Sequence, residues 1–158
     1  MQFLQTEPGA EPVILEAVFP ASRTRVFQAW TDPEQIMKWF GAKAGSLVSA
    51  EIDLRIGGRW CFVVADNKDG RSSLEGEYTE IDTNTRLQFT WRHVREVSGA
   101  AREETPNSTV TVTFNAQGAA TRVRLHHESI LREDGRRGVG TGWEATFVNL
   151  NDLLISTS

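Results

Sequence analysis

Ile52-Asp53-Leu54-Arg55-Ile56-Gly57-Gly58-Arg59-Trp60-Cys61-Phe62-Val63-Val64 is the stretch whose reading decides the fold. It reads as the end of one strand, a tight glycine turn and the start of a second strand. Gly57-Gly58 gives the backbone freedom that a β-carbon would deny, so the chain reverses or bulges there. Beyond the turn, Trp60, Phe62 and Val64 alternate with Arg59, Cys61 and Val63, the period of two that a half-buried strand requires. One face of that strand therefore carries two large aromatic rings that something must cover. The best candidate lies far along the chain, in a helix around Trp143. The rings are either plain core or the lining of a cavity.

The flanking sequence repeats the strand pattern. Val13 to Phe19 is apolar nearly throughout and reads as the first strand. The first dozen residues before it, with Pro8, Gly9 and Pro12, read as a partly mobile lead-in. Further strands are expected at about Leu47 to Leu54, Ser73 to Ile81, Arg86 to Val94, Ser108 to Asn115 and Ala120 to Glu128, separated by polar turns such as Asp69-Gly70 and Gln117-Gly118. In Ser108 to Asn115, Val110, Val112 and Phe114 alternate with threonines. Residues 95–107 form a long loop.

Two short helices interrupt the strands. Ser22 is a helix N-cap for Arg23 to Trp30, and Asp32-Pro33 starts a second helix reaching Trp39 or Phe40. The chain closes in a longer helix, Thr141 to Leu154 at least, where Trp143, Phe147, Leu150 and Leu154 form one apolar stripe. Gly138, Gly140 and Gly142 are poor helix formers, so its start is expected to be loose or kinked. Six successive strands with short turns favour an antiparallel sheet with one apolar face, and the long helix carries the matching stripe. The expected fold is α+β: a curved antiparallel sheet wrapped around the C-terminal helix, with Val13–Phe19 beside Ala120–Glu128. Residues 13–158 form a single domain.

Composition bounds the function. The chain has 158 residues, 39% hydrophobic and 24% charged, with a net charge of −4. A nucleic-acid partner is not expected, since that usually brings a basic excess. No apolar run approaches the ~20 residues of a membrane span. Met1 to Pro8 lacks a basic region followed by an apolar one, so no secretory signal is expected. With one cysteine, Cys61, no internal disulfide can form, and a cytoplasmic protein is the simplest reading.

In this order the motifs resemble the Aha1-type family (activator of Hsp90 ATPase homologue) of the START-like, helix-grip superfamily, also described as Bet v 1-like. The resemblance runs from residue 14 to about 154. Pro20-Ala21-Ser22-Arg23, Val26-Phe27-Gln28-Ala29-Trp30, Thr31-Asp32-Pro33-Glu34 and Trp39-Phe40-Gly41 carry it first. Glu51 to Gly58, Gly76 to Ile81, Arg86-Leu87, Phe89-Thr90-Trp91, Thr109 to Phe114, Thr121-Arg122 and Gly142-Trp143 complete it. Phe40-Gly41-Ala42 departs from the tryptophan, glycine and proline of many members. The resemblance implies a cavity between sheet and long helix, and says less about chemistry, because the superfamily mixes carriers, receptors, cyclases and chaperone-related proteins.

Few residues suggest catalysis. His126 and His127 are adjacent in a strand, so they point to opposite faces and cannot share a metal. His127 has the inward parity of Leu125, and His93 that of Trp91. Either is a structural histidine or a polar anchor in a pocket. Glu80 keeps the inward parity of Tyr78 and is a candidate base, or else the partner of an arginine. Cys61 has no basic cluster near it and reads as inert. Gly138-Val139-Gly140-Thr141-Gly142 lacks the strand and lysine of a phosphate loop. Ser108 and Ser129 lie in no nucleophile-elbow context.

These residues suggest a protein that binds a small apolar or amphipathic molecule without transforming it, with no cofactor and no metal. The expected wall is Trp39, Phe40, Trp60, Phe62, Tyr78 and Trp91, with Val112, Phe114, Leu125, Trp143, Phe147 and Leu150, and His127 as a polar member. Cyclase- or hydrolase-like chemistry through His127 or Glu80 is the alternative from the enzyme class. A chaperone partner is the alternative from the interaction class, and a homodimer stays open.

Overall fold

The computed structural model describes residues 1–97 and 99–157. Ser98, in the expected 95–107 loop, and the terminal Ser158 lie outside the described residues. In chain order the elements are β1 (Gln2–Glu7), β2 (Val13–Phe19), α1 (Arg23–Thr31), α2 (Pro33–Trp39), β3 (Ser49–Ile52), β4 (Arg59–Asn67), β5 (Gly70–Asp82), β6 (Arg86–Glu96), β7 (Glu103–Glu104), β8 (Ser108–Gln117), β9 (Ala120–Glu128) and α3 (Glu133–Ser156). The strands form one antiparallel sheet in the order β1-β2-β9-β8-β6-β5-β4-β3, with β7 paired to β6. The α+β helix-grip reading holds, including β2 beside β9. The stretch expected as a lead-in instead supplies the edge strand β1, and Phe3 stacks on Phe147 with ring centres 6.2 Å apart.

The glycine turn sets the β3–β4 hairpin. Gly57 has φ +79°, and a β-carbon on Gly58 would lie 2.0 Å from the Asp53 carbonyl oxygen, so only glycine fits there. Ile52 then pairs with Trp60, and the turn docks on β5 through the Gly57 N–H to Tyr78 O bond. Ser22 and Asp32 cap α1 and α2 as expected, their side chains accepting from the Arg25 and Glu34 amides.

Strict alternation decides the core in β8 and β9. Val110, Val112, Phe114, Val123 and Leu125 are all fully buried, while Thr109, Thr111 and Thr113 line the other face. Bulges break the alternation in β1, between Phe3 and Gln5, and in β4 and β5. One between Val63 and Ala65 turns Val64 outward, 41% exposed, against the expectation that it follows Trp60 and Phe62 inward. Another between Tyr78 and Glu80 adds one residue to β5. Each extra residue reverses which face the following side chains take.

The helix α3 buries Trp143, Phe147, Leu150 and Leu154 against the sheet. It starts eight residues earlier than Thr141, at Glu133, and runs unbroken through the glycines expected to loosen it. Tertiary contacts replace the missing propensity. The β1–β2 turn lies across the first turns of the helix: Pro8 sits so close that a β-carbon on Gly140 would be 2.4 Å from Pro8 Cα and 2.5 Å from Pro8 Cβ and O. Arg136 Nε donates to Gly9 O at 3.3 Å, and Glu11 Oε1 accepts from the Ser129 amide at 3.0 Å.

Candidate functional site

Aromatic side chains from five elements meet where the sheet faces α3. The gap left among them is lined by Trp30 of α1, Ile36 of α2 and Phe40 after it, then Trp60 and Phe62 of β4, Tyr78 of β5, and Phe89 and Trp91 of β6. Its volume is only 10 Å³. The rings fill the rest: Trp60 lies 4.8 Å from Phe62, 5.5 Å from Phe89 and 5.6 Å from Trp91, while Phe40 lies 4.9 Å from Phe62. The expected cover, Trp143, reaches this cluster through Phe40 and Trp91.

The open space that adjoins these rings lies at the N-terminal end of α3. A cleft of 300 Å³ is bounded by Trp91 and His93 of β6, the Thr105-Pro106 and Ser129–Arg132 loops, Ser108, and Gly135 and Val139 of the helix. A neighbouring pocket of 140 Å³ lies between Phe40-Gly41-Ala42, Leu74, Trp91 and the helix residues Val139, Gly142, Trp143 and Thr146. Trp91 borders the inner gap, this pocket and the cleft alike. It is half-buried, whereas the other four tryptophans are buried.

Of the residues read as cavity wall, Phe40, Trp60, Phe62, Tyr78, Trp91 and Trp143 border these spaces. Trp39, Val112, Phe114, Leu125, His127, Phe147 and Leu150 are fully buried and are packed in the core. The cleft's own walls, Pro106, Ile130, Leu131 and Val139, escaped the sequence reading because most stand on loops without periodicity. The one available signal was the apolar pair Ile130-Leu131 between a strand and a helix, with Leu131 78% exposed.

His127 is held at both ring nitrogens. Trp143 Nε1, which can only donate, gives its hydrogen to His127 Nδ1 at 3.1 Å. The neutral ring therefore carries its proton on Nε2, which donates to Ser108 Oγ at 2.7 Å; Ser108 in turn donates to Trp91 O at 3.2 Å. Burial pushes the imidazole pKa down to about 3. The serine and histidine are adjacent, yet this tautomer cannot accept the serine proton, which a nucleophile and base pair requires. The chain of bonds instead anchors β6, β8, β9 and α3 to one another.

The other titratable candidates are also engaged. His93 bonds Ser72 Oγ at 2.7 Å, and burial, helped by Arg95, lowers its pKa. Glu80, expected to face inward, is turned out by the β5 bulge and pairs with Arg86 at 2.6 Å on the surface. Burial raises the Tyr78 phenol pKa. On the outer face, burial would raise the carboxyl pKa of Glu75, but hydrogen bonding and charge from Arg92, with Arg102 and Arg59, hold it below the usual range. Among the described residues no three of His, Cys, Asp and Glu come together as a metal site. No described helix is long and apolar enough to cross a membrane.

The profile of a family described as "Activator of Hsp90 ATPase homolog 1-like protein" matches residues 20–154. The chain belongs to that family. Among solved structures, this Activator of Hsp90 ATPase homolog 1-like chain resembles a protein from Rhizobium leguminosarum at 25% identity and TM-score 0.71, covering 92% of this chain and 94% of that one. CalU16 from Micromonospora echinospora is 25% identical with TM-score 0.64, covering 95% and 81%. DynU16, from the dynemicin biosynthetic locus, shares the fold at 21% identity and TM-score 0.71; the match covers 94% of this chain and 49% of DynU16. No match is found among curated proteins.

Proposed function

We propose that the protein binds a small apolar or amphipathic molecule without transforming it, in the cleft at the start of α3. The observation that carries this reading is the position of Trp91, a half-buried ring that borders a 300 Å³ apolar cleft, a 140 Å³ side pocket and the inner gap at once. Ligand sites are typically concave spaces of ~300–1,000 Å³ with apolar walls and few polar groups. Here Trp91, Pro106, Ile130, Leu131 and Val139 supply the apolar wall, with His93, Thr105, Ser108, Ser129 and Arg132 as its polar members. Burying about 300 Å² of apolar surface contributes ~7.5 kcal/mol at ~25 cal/mol per Å² before the ligand's lost freedom is counted, so affinities no tighter than micromolar are expected.

The test is titration with naphthalene-sized ligands, followed by tryptophan fluorescence and calorimetry. Trp91→Ala and Leu131→Asp should each weaken binding at least about tenfold while the thermal melt stays cooperative. Unchanged affinity in both variants would exclude the cleft. A chaperone partner, the activity named in the family's description, would use the exterior instead. The exposed apolar side chains Val48, Leu54 and Ile56 flank the β3 edge, and replacing them leaves ligand binding intact on this reading.

A further inference from the structure

The inner gap is small, but its wall is not purely apolar. Trp30 borders it, and the Trp30 indole N–H is buried with no hydrogen-bond partner. The other buried indoles are satisfied: Trp39 donates to Ala29 O, Trp60 to Thr90 O and Trp143 to His127. Tyr78 borders the same gap, 4% exposed, and its hydroxyl makes no hydrogen bond within the described residues. A buried donor left unpaired costs about 1–3 kcal/mol, so the Trp30 N–H calls for an acceptor, and the free Tyr78 hydroxyl on the same space can donate to it as well. No charged side chain borders the gap.

Trp91 stands between this space and the cleft, and Trp91 and Phe40 both border the gap and the side pocket. The Trp91 ring packs on Trp60, Trp143 and His127 at 5.3–5.6 Å, and its indole N–H is tied to nothing within the described residues. A side chain held by packing alone on one flank and facing open space on the other can change rotamer without breaking a hydrogen bond.

We infer that the inner gap seats the polar end of the ligand, and that the ligand is an uncharged aromatic amphiphile ending in a hydrogen-bond acceptor such as a ketone oxygen. The oxygen takes the Trp30 N–H and the Tyr78 hydroxyl, while the apolar body displaces Trp91 and lies in the cleft. The inference rests on the cleft reading above and names the class of its ligand. A carboxylate is disfavoured, because an anion buried without a cation is far more costly than a neutral carbonyl. A pure hydrocarbon leaves the Trp30 donor unpaired. A single water is the competing occupant, since 10 Å³ is near the lower limit for one.

The test compares three probes of one size: 2-acetonaphthone, its hydrocarbon isostere 2-isopropenylnaphthalene, and 2-naphthoate. Calorimetry should give the ketone about fivefold or more over the isostere, although the hydrocarbon is the more water-averse, with naphthoate weakest. Tyr78→Phe, which keeps the ring, should reduce that preference at least about twofold and shift the carbonyl ¹³C resonance of the bound ketone upfield. Trp30→Phe should do the same; if it fails to fold, Tyr78→Phe alone decides. Equal binding of ketone and isostere, tightest binding by naphthoate, or a preference untouched in Tyr78→Phe would overturn the polar seat and leave the cleft reading standing. No binding by any of the three would overturn both.

Discussion

Adding one methyl group to Gly140 tests how α3 is held. In an open helix position, Gly→Ala gains about 1 kcal/mol from restored propensity and reduced unfolded-state freedom. Gly138 is such a position, with nothing within 4 Å of an added β-carbon. Gly138→Ala should therefore raise Tm by about 2–4 °C in a chain of this size. At Gly140 the same methyl would sit 2.4–2.5 Å from Pro8 Cα, Cβ and O. Ordinary contact lies near 3.5–4.0 Å, so the β1–β2 turn must lift by about 1 Å. The atoms met are backbone and a proline ring, which cannot rotate away. Overpacking of this kind costs about 1–3 kcal/mol, which offsets the helical gain and leaves Gly140→Ala about 1–3 kcal/mol less stable than Gly138→Ala. Thermal and urea melts of the two variants give that difference directly. Hydrogen exchange should also quicken at Ser129, whose amide is held by Glu11 from the same turn. A Gly140→Ala protein as stabilised as Gly138→Ala, with Ser129 equally protected, would refute the idea that the turn clamps the helix.

Stability should fall as pH drops from about 6.5 toward 5. His127 is held neutral in the fold, with its pKa near 3, whereas the unfolded chain takes up the proton near 6.5, so the unfolded state binds more protons in that window. The slope due to His127 is up to about 1.4 kcal/mol per pH unit; urea melts of His127→Gln that keep the same slope would exclude His127 as its source. Ser108→Ala should leave p-nitrophenyl acetate hydrolysis at the solvent rate shown by the parent protein, because the His127 tautomer cannot accept the serine proton. Turnover that vanishes in Ser108→Ala with the fold intact would refute that tautomer assignment.

Much of the fold was legible because its causes are local. The alternation of Val110, Val112 and Phe114 with threonines names the buried face of β8 from side-chain period alone. Trp143, Phe147, Leu150 and Leu154 name the gripped face of α3, and Gly57-Gly58 names the hairpin, since its backbone conformation is a property of glycine itself. The caps Ser22 and Asp32 belong to the same class, each satisfying amides two or three residues away. Motif order along the chain was enough to indicate the family.

The candidate site depended on what local pattern cannot carry. The bulges after Val63 and Tyr78 turn Val64 and Glu80 outward, and a bulge is defined by the partner strand as much as by its own residues. Whether aromatic rings enclose a chamber or fill it depends on the small difference between large packed volumes, here 10 Å³ beside Trp60 and 300 Å³ beyond Trp91. The tautomer of His127 comes from Trp143 on another element. The support under a glycine-rich helix start comes from Pro8, far away in sequence. The sequence by itself determined which faces are apolar and where the chain turns, because those follow from neighbours along the backbone. Only the tertiary structure decided where space remains and which polar groups go unpaired, because both arise from the packing of side chains distant in sequence.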